Sequence, residues 1–199
     1  MRLTVGQIAR LARLSVLAAR GRESALRREL ARPPRLPDVP VREAFLQLVL
    51  FAGYPRAINA LFLLGESKGL RPTGGTVATR RKRGAALCRR IYGRDFGPLL
   101  GNMRRLHPAL AEGILEEGYG RVLSRPGLEP RVRELVLVPL LAATDAWRQL
   151  PGHVRGALRV GATPAGIARV VASVGDLLGE RRVRRVLAYA VRSERGRWA

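Results

Sequence analysis

The chain holds one cysteine, Cys88, among 199 residues. An intramolecular disulfide, a CxxC redox pair and a multi-cysteine zinc site are therefore all excluded. Histidine is nearly as scarce, with His107 and His153 the two present. A metal cage would have to rest on carboxylates, and no cofactor is expected. Aromatics make up 5% of the residues, and none sits beside the densest basic run, Arg80-Arg81-Lys82-Arg83, as a platform for bases. The longest apolar run, Leu135 to Ala143, has nine residues and contains Pro139, far short of a membrane span. Arginines at positions 2, 10, 13 and 20 interrupt any secretory apolar stretch near the start. The expectation is a cytoplasmic protein that makes no use of a membrane.

Acidic residues are also few. Asp and Glu total 15 against 37 Lys and Arg, giving a formal charge of +22. Lys68 and Lys82 are the two lysines, so nearly all of the positive charge is arginine. Such an excess reads either as an electrostatic footprint for nucleic acid or as arginine serving as the general polar-face residue. Hydrophobic residues reach 47%, too many for a disordered basic tail.

What is present in abundance is helical periodicity. Ile8, Leu11, Ala12, Val16 and Ala19 recur at three- and four-residue steps, with Gly21 as a stop. Ala25 to Leu30 suits a short second helix, and Val41 to Leu64 a long buried one, interrupted near Gly53 and Pro55. Between Gly65 and Arg83 the pattern dissolves and predicts a linker. Helical patterns resume over Ala85 to Tyr92, Pro98 to Gly118 and Val132 to Leu140. Thr163-Pro164 marks a further helix start, and Val183 to Val191 forms the last apolar stripe. No strand of convincing length alternates, so the fold class is all-α.

The halves resemble each other at a shift of 124 positions. Leu11 then pairs with Leu135, Leu17-Ala18-Ala19 with Leu141-Ala142-Ala143, and Pro40 with Pro164. A duplication is expected, with a repeat over 1–65, a basic linker over 66–84 and a second repeat with lead-in helices over 85–199.

Two segments carry a family resemblance. One runs from Glu43-Ala44-Phe45-Leu46-Gln47-Leu48 to Phe51-Ala52-Gly53-Tyr54-Pro55-Arg56-Ala57. The other is Arg133-Glu134-Leu135 followed by Gln149, His153, Arg155-Gly156-Ala157-Leu158 and Gly161-Ala162-Thr163. Together they resemble the carboxymuconolactone decarboxylase family, whose alkylhydroperoxidase D-like members share an all-helical fold. The likeness covers roughly residues 5–64 and 115–192. It implies a helical bundle in two degenerate copies and, since single-copy members build six-subunit rings, a trimer of tandem chains. It also implies that Glu134 and His153 match the family's relay carboxylate and imidazole, 19 residues apart.

The departures narrow the chemistry. The cysteine positions of the peroxidase members hold Ala146 and Gln149, and neither can form the thiolate that attacks a peroxide. In the first copy the same shift sets Arg10 where Glu134 stands and Glu29 where His153 stands. The second copy lacks the Phe-Ala-Gly-Tyr-Pro element. What remains is acid/base chemistry on a small carboxylate or lactone. His153 would carry the proton, Glu134 would orient it, Gln149 would donate to a developing oxyanion, and Arg155 and Arg148 would clamp the carboxylate. The alternatives are a degenerate structural or regulatory oligomer of the same fold, a disfavoured thiol peroxidase, and a basic nucleic-acid binder. His107 reads as a helix-boundary residue, Glu29 as a surface ion partner, Trp147 as a packing anchor and Cys88 as a small buried hydrophobe.

Overall fold

The computed structural model describes residues 2–67 and 75–194, and these are helical throughout with no strand. The first group of helices is α1 (Val5–Ala19), α2 (Glu23–Ala31), α3 (Asp38–Leu46), α4 (Leu48–Phe51) and α5 (Tyr54–Phe62). A middle group follows: α6 (Val77–Tyr92), α7 (Phe96–Leu106), α8 (Pro108–Gly113) and a wide-turned π-helix, π1 (Ile114–Leu123). The last group is α9 (Pro130–Ala143), α10 (Leu150–Arg159), α11 (Pro164–Ala172), α12 (Gly175–Leu178) and α13 (Glu180–Glu194). No helix among the described residues is long and apolar enough to cross a membrane.

The starts follow from capping chemistry. Thr4 accepts from the Gln7 amide at 3.2 Å while Gln7 Oε1 accepts from the Thr4 amide at 2.9 Å, closing a reciprocal box ahead of α1. Thr163 caps α11 in front of Pro164, as its position implies. Helix α9 is the axis of the molecule. Every residue from Val132 to Ala142 is buried, and α1, α10 and α11 pack around it. A helix apolar on all sides belongs at the centre.

The stretch Val41 to Leu64 breaks where expected, Gly53 taking φ 84, a left-handed value that cuts α4 from α5, and a further turn at Gln47 separates α3 from α4. One expectation changes. The run Arg80–Arg83 is not linker but the early part of α6, which Thr76 caps. Arg83 donates to Gly120 O and Ser124 Oγ, both at 2.9 Å, Arg81 pairs with Glu116, and Arg80 reaches Gly75 O. The Arg83 and Arg81 contacts hold α6 against π1, while that of Arg80 ties α6 to the residues just before it. The two helices cross so closely that a Cβ on Gly84 would lie 2.4 Å from Leu115 O. Residues 68–74 of the expected linker lie outside the described residues.

Backbone contacts recur along the chain at matching offsets. Arg20 N donates to Val16 O, and Thr144 N to Leu140 O; Arg22 N donates to Leu17 O and Ala146 N to Leu141 O, both at 2.9 Å. Gly21 and Asp145, also 124 apart, both have positive φ. Gly53 before α5 and Gly179 before α13, 126 apart and so outside that offset, take φ 84 and 81.

Arginine closes many helix ends. Arg42 forks onto the carbonyls of Leu64, Gly65 and Glu66 after α5. Arg159 reaches Ile91 O and Tyr92 O at the end of α6, Arg20 reaches Leu177 O in α12, and Arg10 reaches Glu29 O and Arg32 O of α2 and its cap. Each guanidinium satisfies carbonyls that have no intrahelical donor, and its charge suits the negative end of the helix dipole.

The first and last groups of helices are joined by a buried ion network. Glu43, 2% exposed, accepts from Arg133 Nη2 at 2.8 Å and from Arg125 Nε at 2.9 Å. Arg133 also donates to the carbonyls of Leu128 and Arg125. Burial pulls the Arg133 pKa down, and the Glu43 carboxylate draws it back up. Removing one partner of such a network leaves a buried charge alone. Glu43→Gln is therefore expected to lose about 3–5 kcal/mol in urea unfolding. The double variant Glu43→Leu with Arg133→Met should lose less; a larger loss for the double would contradict the assignment.

Candidate active site

Helix α9 carries Glu134 on its buried surface, next to Arg133, and α10 brings His153 against it. Pro151 lies in the first turn of α10, where its missing N–H costs nothing, and Gln149 stands at the cap position before it. Close approach of the helices depends on Gly156. A Cβ there would fall 2.6 Å from Ile91 Cγ2 and 3.3 Å from Glu134 Oε2.

The result is a direct contact, His153 Nδ1 to Glu134 Oε2 at 2.8 Å. Glu134 is 1% exposed and His153 5%. An ionised Glu134 can only accept, so it takes the hydrogen bond from Nδ1–H and leaves Nε2 as the nitrogen that can exchange a proton with a ligand. Nε2 has no hydrogen-bond partner among the described residues, and it is not among the fully buried unpartnered atoms. It is the outward end of the dyad.

The walls come from two other regions. Phe51 at the end of α4 meets the His153 ring edge to face, with centroids 5.5 Å apart. Tyr92 and Tyr119 meet edge to face at 6.3 Å behind Glu134. Burial, and secondarily the Glu134 charge, raises the pKa of Tyr92 well above the usual phenol value. Burial does the same for Tyr119, with Tyr92 and Glu134 adding to it. Two further polar groups are fully enclosed without a partner, the Tyr119 hydroxyl and the whole side-chain amide of Gln47.

The residues expected around the dyad divide. Glu134 and His153 are together. Arg148 and Gln149 are exposed. Arg155 is half-buried, with its Nε 3.6 Å from Asp95, which Arg159 also engages at 2.9 Å. Sequence reasoning passed over Gln47 and Phe51. A lone glutamine inside Leu46-Gln47-Leu48-Val49-Leu50-Phe51 was the available signal, since a buried polar residue asks for a reason.

Arg10 and Glu29, which a shift of 124 positions sets against Glu134 and His153, form an ion pair. Arg10 Nε donates to Glu29 Oε1 at 3.0 Å, and Arg13 and Arg32 also approach this carboxylate. Glu29 is thus the ion partner that its sequence context suggests, local or on the surface, though with its side chain only 11% exposed and shared among three arginines. His107 caps α8, accepting from Ala109 N, and Trp147 lies under the Arg185 guanidinium at 4.1 Å. Among the described residues no group of three or more His, Cys, Asp or Glu side chains is placed to hold a metal ion.

Comparison with known proteins aligns residues 108–192 with the model of the carboxymuconolactone decarboxylase family. That segment contains both members of the dyad and excludes Gln47 and Phe51. Peroxisomal protein 2 of Schizosaccharomyces pombe is 30% identical over 131 residues, covering 62% of this chain and 61% of that protein. Nitrosuccinic acid decarboxylase npaB of Metarhizium robertsii is 38% identical over 60 residues, covering 30% of this chain and 42% of that protein. The chain spans about three-fifths and two-fifths of the lengths of these relatives.

Cys88 lies fully buried beside this site, and desolvation together with the Glu134 charge pushes its thiol up to about 12. The fold therefore favours the neutral thiol. Its contribution to stability is complete below the ordinary value near 9 and is lost as pH rises from there towards 12. Iodoacetamide at pH 8 is expected to alkylate Cys88 in urea and to leave the native protein almost unmodified; equal rates in both states would refute this burial.

Proposed function

We propose that this chain, whose residues 108–192 match the model of the carboxymuconolactone decarboxylase family, removes CO2 from a small carboxylic acid or lactone acid by acid/base chemistry without redox steps. The observation that carries this reading is the enclosed Glu134–His153 contact, with Nε2 as its outward end. The substrate needs an electron-withdrawing group on the carbon that bears the carboxylate or on the next one. The relative named nitrosuccinic acid decarboxylase supports a dicarboxylic acid of that kind. The bond to the carboxyl carbon breaks, its electron pair flows into the electron-withdrawing group, and CO2 leaves. His153, protonated on both nitrogens, then gives the Nε2 proton to the carbon, while Glu134 neutralises the ring charge during the cycle. The ring regains its proton from solvent, so one proton is taken up for each CO2 released.

Arg148 and Gln149, on the outer approach to α10, are proposed to draw in the anionic substrate, and Arg155, shared with Asp95, to join them. The thiol route has no support, because Ala146 and Gln149 occupy the positions where it would need sulfur. The reading includes two degenerate copies, 1–65 and 85–199 around the 66–84 segment, of which the second keeps the dyad. It also includes a cytoplasmic setting. A scaffold without turnover is the competing reading, favoured by how deeply the dyad is buried.

One experiment separates the two. Purified protein is offered β-keto, nitro and unsaturated-lactone acids, with CO2 release followed. Turnover is expected for at least one class, and His153→Asn should cut kcat by roughly 10²–10⁴ while the helical spectrum stays unchanged. No turnover in any class, or equal turnover by the variant, would sink the proposal.

Assembly is the second part of the proposal. Tyr54, Ile58 and Phe62 lie at four-residue steps on α5 and are 65%, 48% and 79% exposed. An apolar stripe of this kind marks an association surface, here for further copies of the chain, with three tandem chains closing a ring. Light scattering should give the trimer mass, and Phe62→Glu a lower one. A monomer for the unaltered protein at micromolar concentration would overturn it.

A further inference from the structure

Glu43, Gln47 and Phe51 follow one another at four-residue steps along α3 and α4. Both ends of this stripe are fixed against the second half of the chain. Glu43 Oε2 accepts from Arg133 Nη2 at 2.8 Å, one residue from Glu134, and the Phe51 ring meets that of His153 at 5.5 Å. Gln47 stands one turn from each, at the turn between α3 and α4 with helical dihedrals, and this spacing sets it on the same side as Glu43 and Phe51. It is 0% exposed, and neither its Oε1 nor its Nε2 has a protein partner.

An enclosed amide with both ends unpaired is disfavoured, and a leucine or methionine would fill the same space without that cost. Its neighbours Leu46, Leu48, Val49 and Leu50 show that the segment otherwise selects apolar side chains. On the dyad itself, among the described residues, His153 Nε2 is also left without a protein partner. A carboxamide and an imidazole nitrogen, both unpartnered, are complementary to a single kind of ligand. It is a small acid in which one oxygen accepts from the amide N–H while the adjoining carbon or oxygen lies against Nε2.

We propose that Gln47, contributed by the first half of the chain, is a substrate-binding residue of the dyad in the second half, its amide holding an oxygen of a small carboxylic acid opposite Nε2 of His153. The assignment rests on the decarboxylase reading for its substrate class, but it concerns binding and stands or falls separately from turnover. It gives to Gln47 the amide role that sequence spacing suggested for the exposed Gln149. It also makes the site dependent on both halves, since the imidazole and the amide come from different copies.

The test uses succinate, an inert dicarboxylate without an electron-withdrawing substituent, and follows the His153 ring resonances of the full chain by NMR. In the unaltered protein, millimolar succinate should shift the His153 signals along a saturable curve. Gln47→Met, close in volume, should weaken this binding roughly 10- to 100-fold, the worth of one hydrogen bond to a charged oxygen. Gln47→Leu serves as the second variant, and urea unfolding is measured for both. Unchanged succinate affinity in the variants together with higher stability would mean that the amide serves only the fold or a trapped water, and the proposal fails. Absence of any His153 shift in the unaltered protein also overturns it. Succinate binding that is lost on substituting Gln47, in a protein that turns over none of the acids offered, would keep this assignment and reject the decarboxylase reading.

Discussion

The ion network of Glu43 with Arg133 and Arg125 is the constraint on which the remaining structure turns. It is the polar contact that fixes where α3 and α4 lie on the central helix α9. Because Glu43 is held there, the residues one and two turns later arrive over α10, and Phe51 meets His153. Shifting this network by one residue would rotate the stripe by about 100°. That rotation would turn both Gln47 and Phe51 away from the dyad. A buried charge pair is weak evidence for stability, but it specifies register well, because its partners tolerate so few alternatives.

How much of this was legible in the sequence depends on whether the signal was local. The all-helical class, the Thr163-Pro164 start and the interruption near Gly53 are local, set by capping groups and by backbone freedom at single positions, and each is present. Glu134 and His153 were legible because their motif has a fixed spacing on adjacent helices. Gln47 was not, since whether a buried amide finds a partner depends on helices that arrive from elsewhere in the chain. The basic run Arg80–Arg83 misled for the same reason. Its lack of apolar period read as linker, whereas Arg81 and Arg83 spend their contacts on π1 and hold α6 in place. The π-helical turns of Ile114–Leu123 leave no mark in the apolar spacing that could have separated them from an α-helix.

The first and last groups of helices hold unlike polar pairs between their members. The first group supplies Glu43 and Phe51 to the contacts with α9 and α10, and between α1 and α2 it holds the Arg10–Glu29 pair. The last group holds Glu134 and His153 between α9 and α10. Each pair joins two neighbouring helices through one side-chain contact, an ion pair in the first case and a carboxylate–imidazole hydrogen bond in the second.

The arginine-closed helix ends bear on how the molecule responds to salt. A charge of +22 on a chain of this size sets the surface against itself and works against compactness. Yet Arg42, Arg83 and Arg159 are tied down through hydrogen bonds to backbone carbonyls, which act at contact distance and do not fade with ionic strength as the long-range repulsion does. Added electrolyte thus removes the repulsion and leaves the forks in place. Those forks therefore keep their partners at ionic strengths that screen the net charge of the surface.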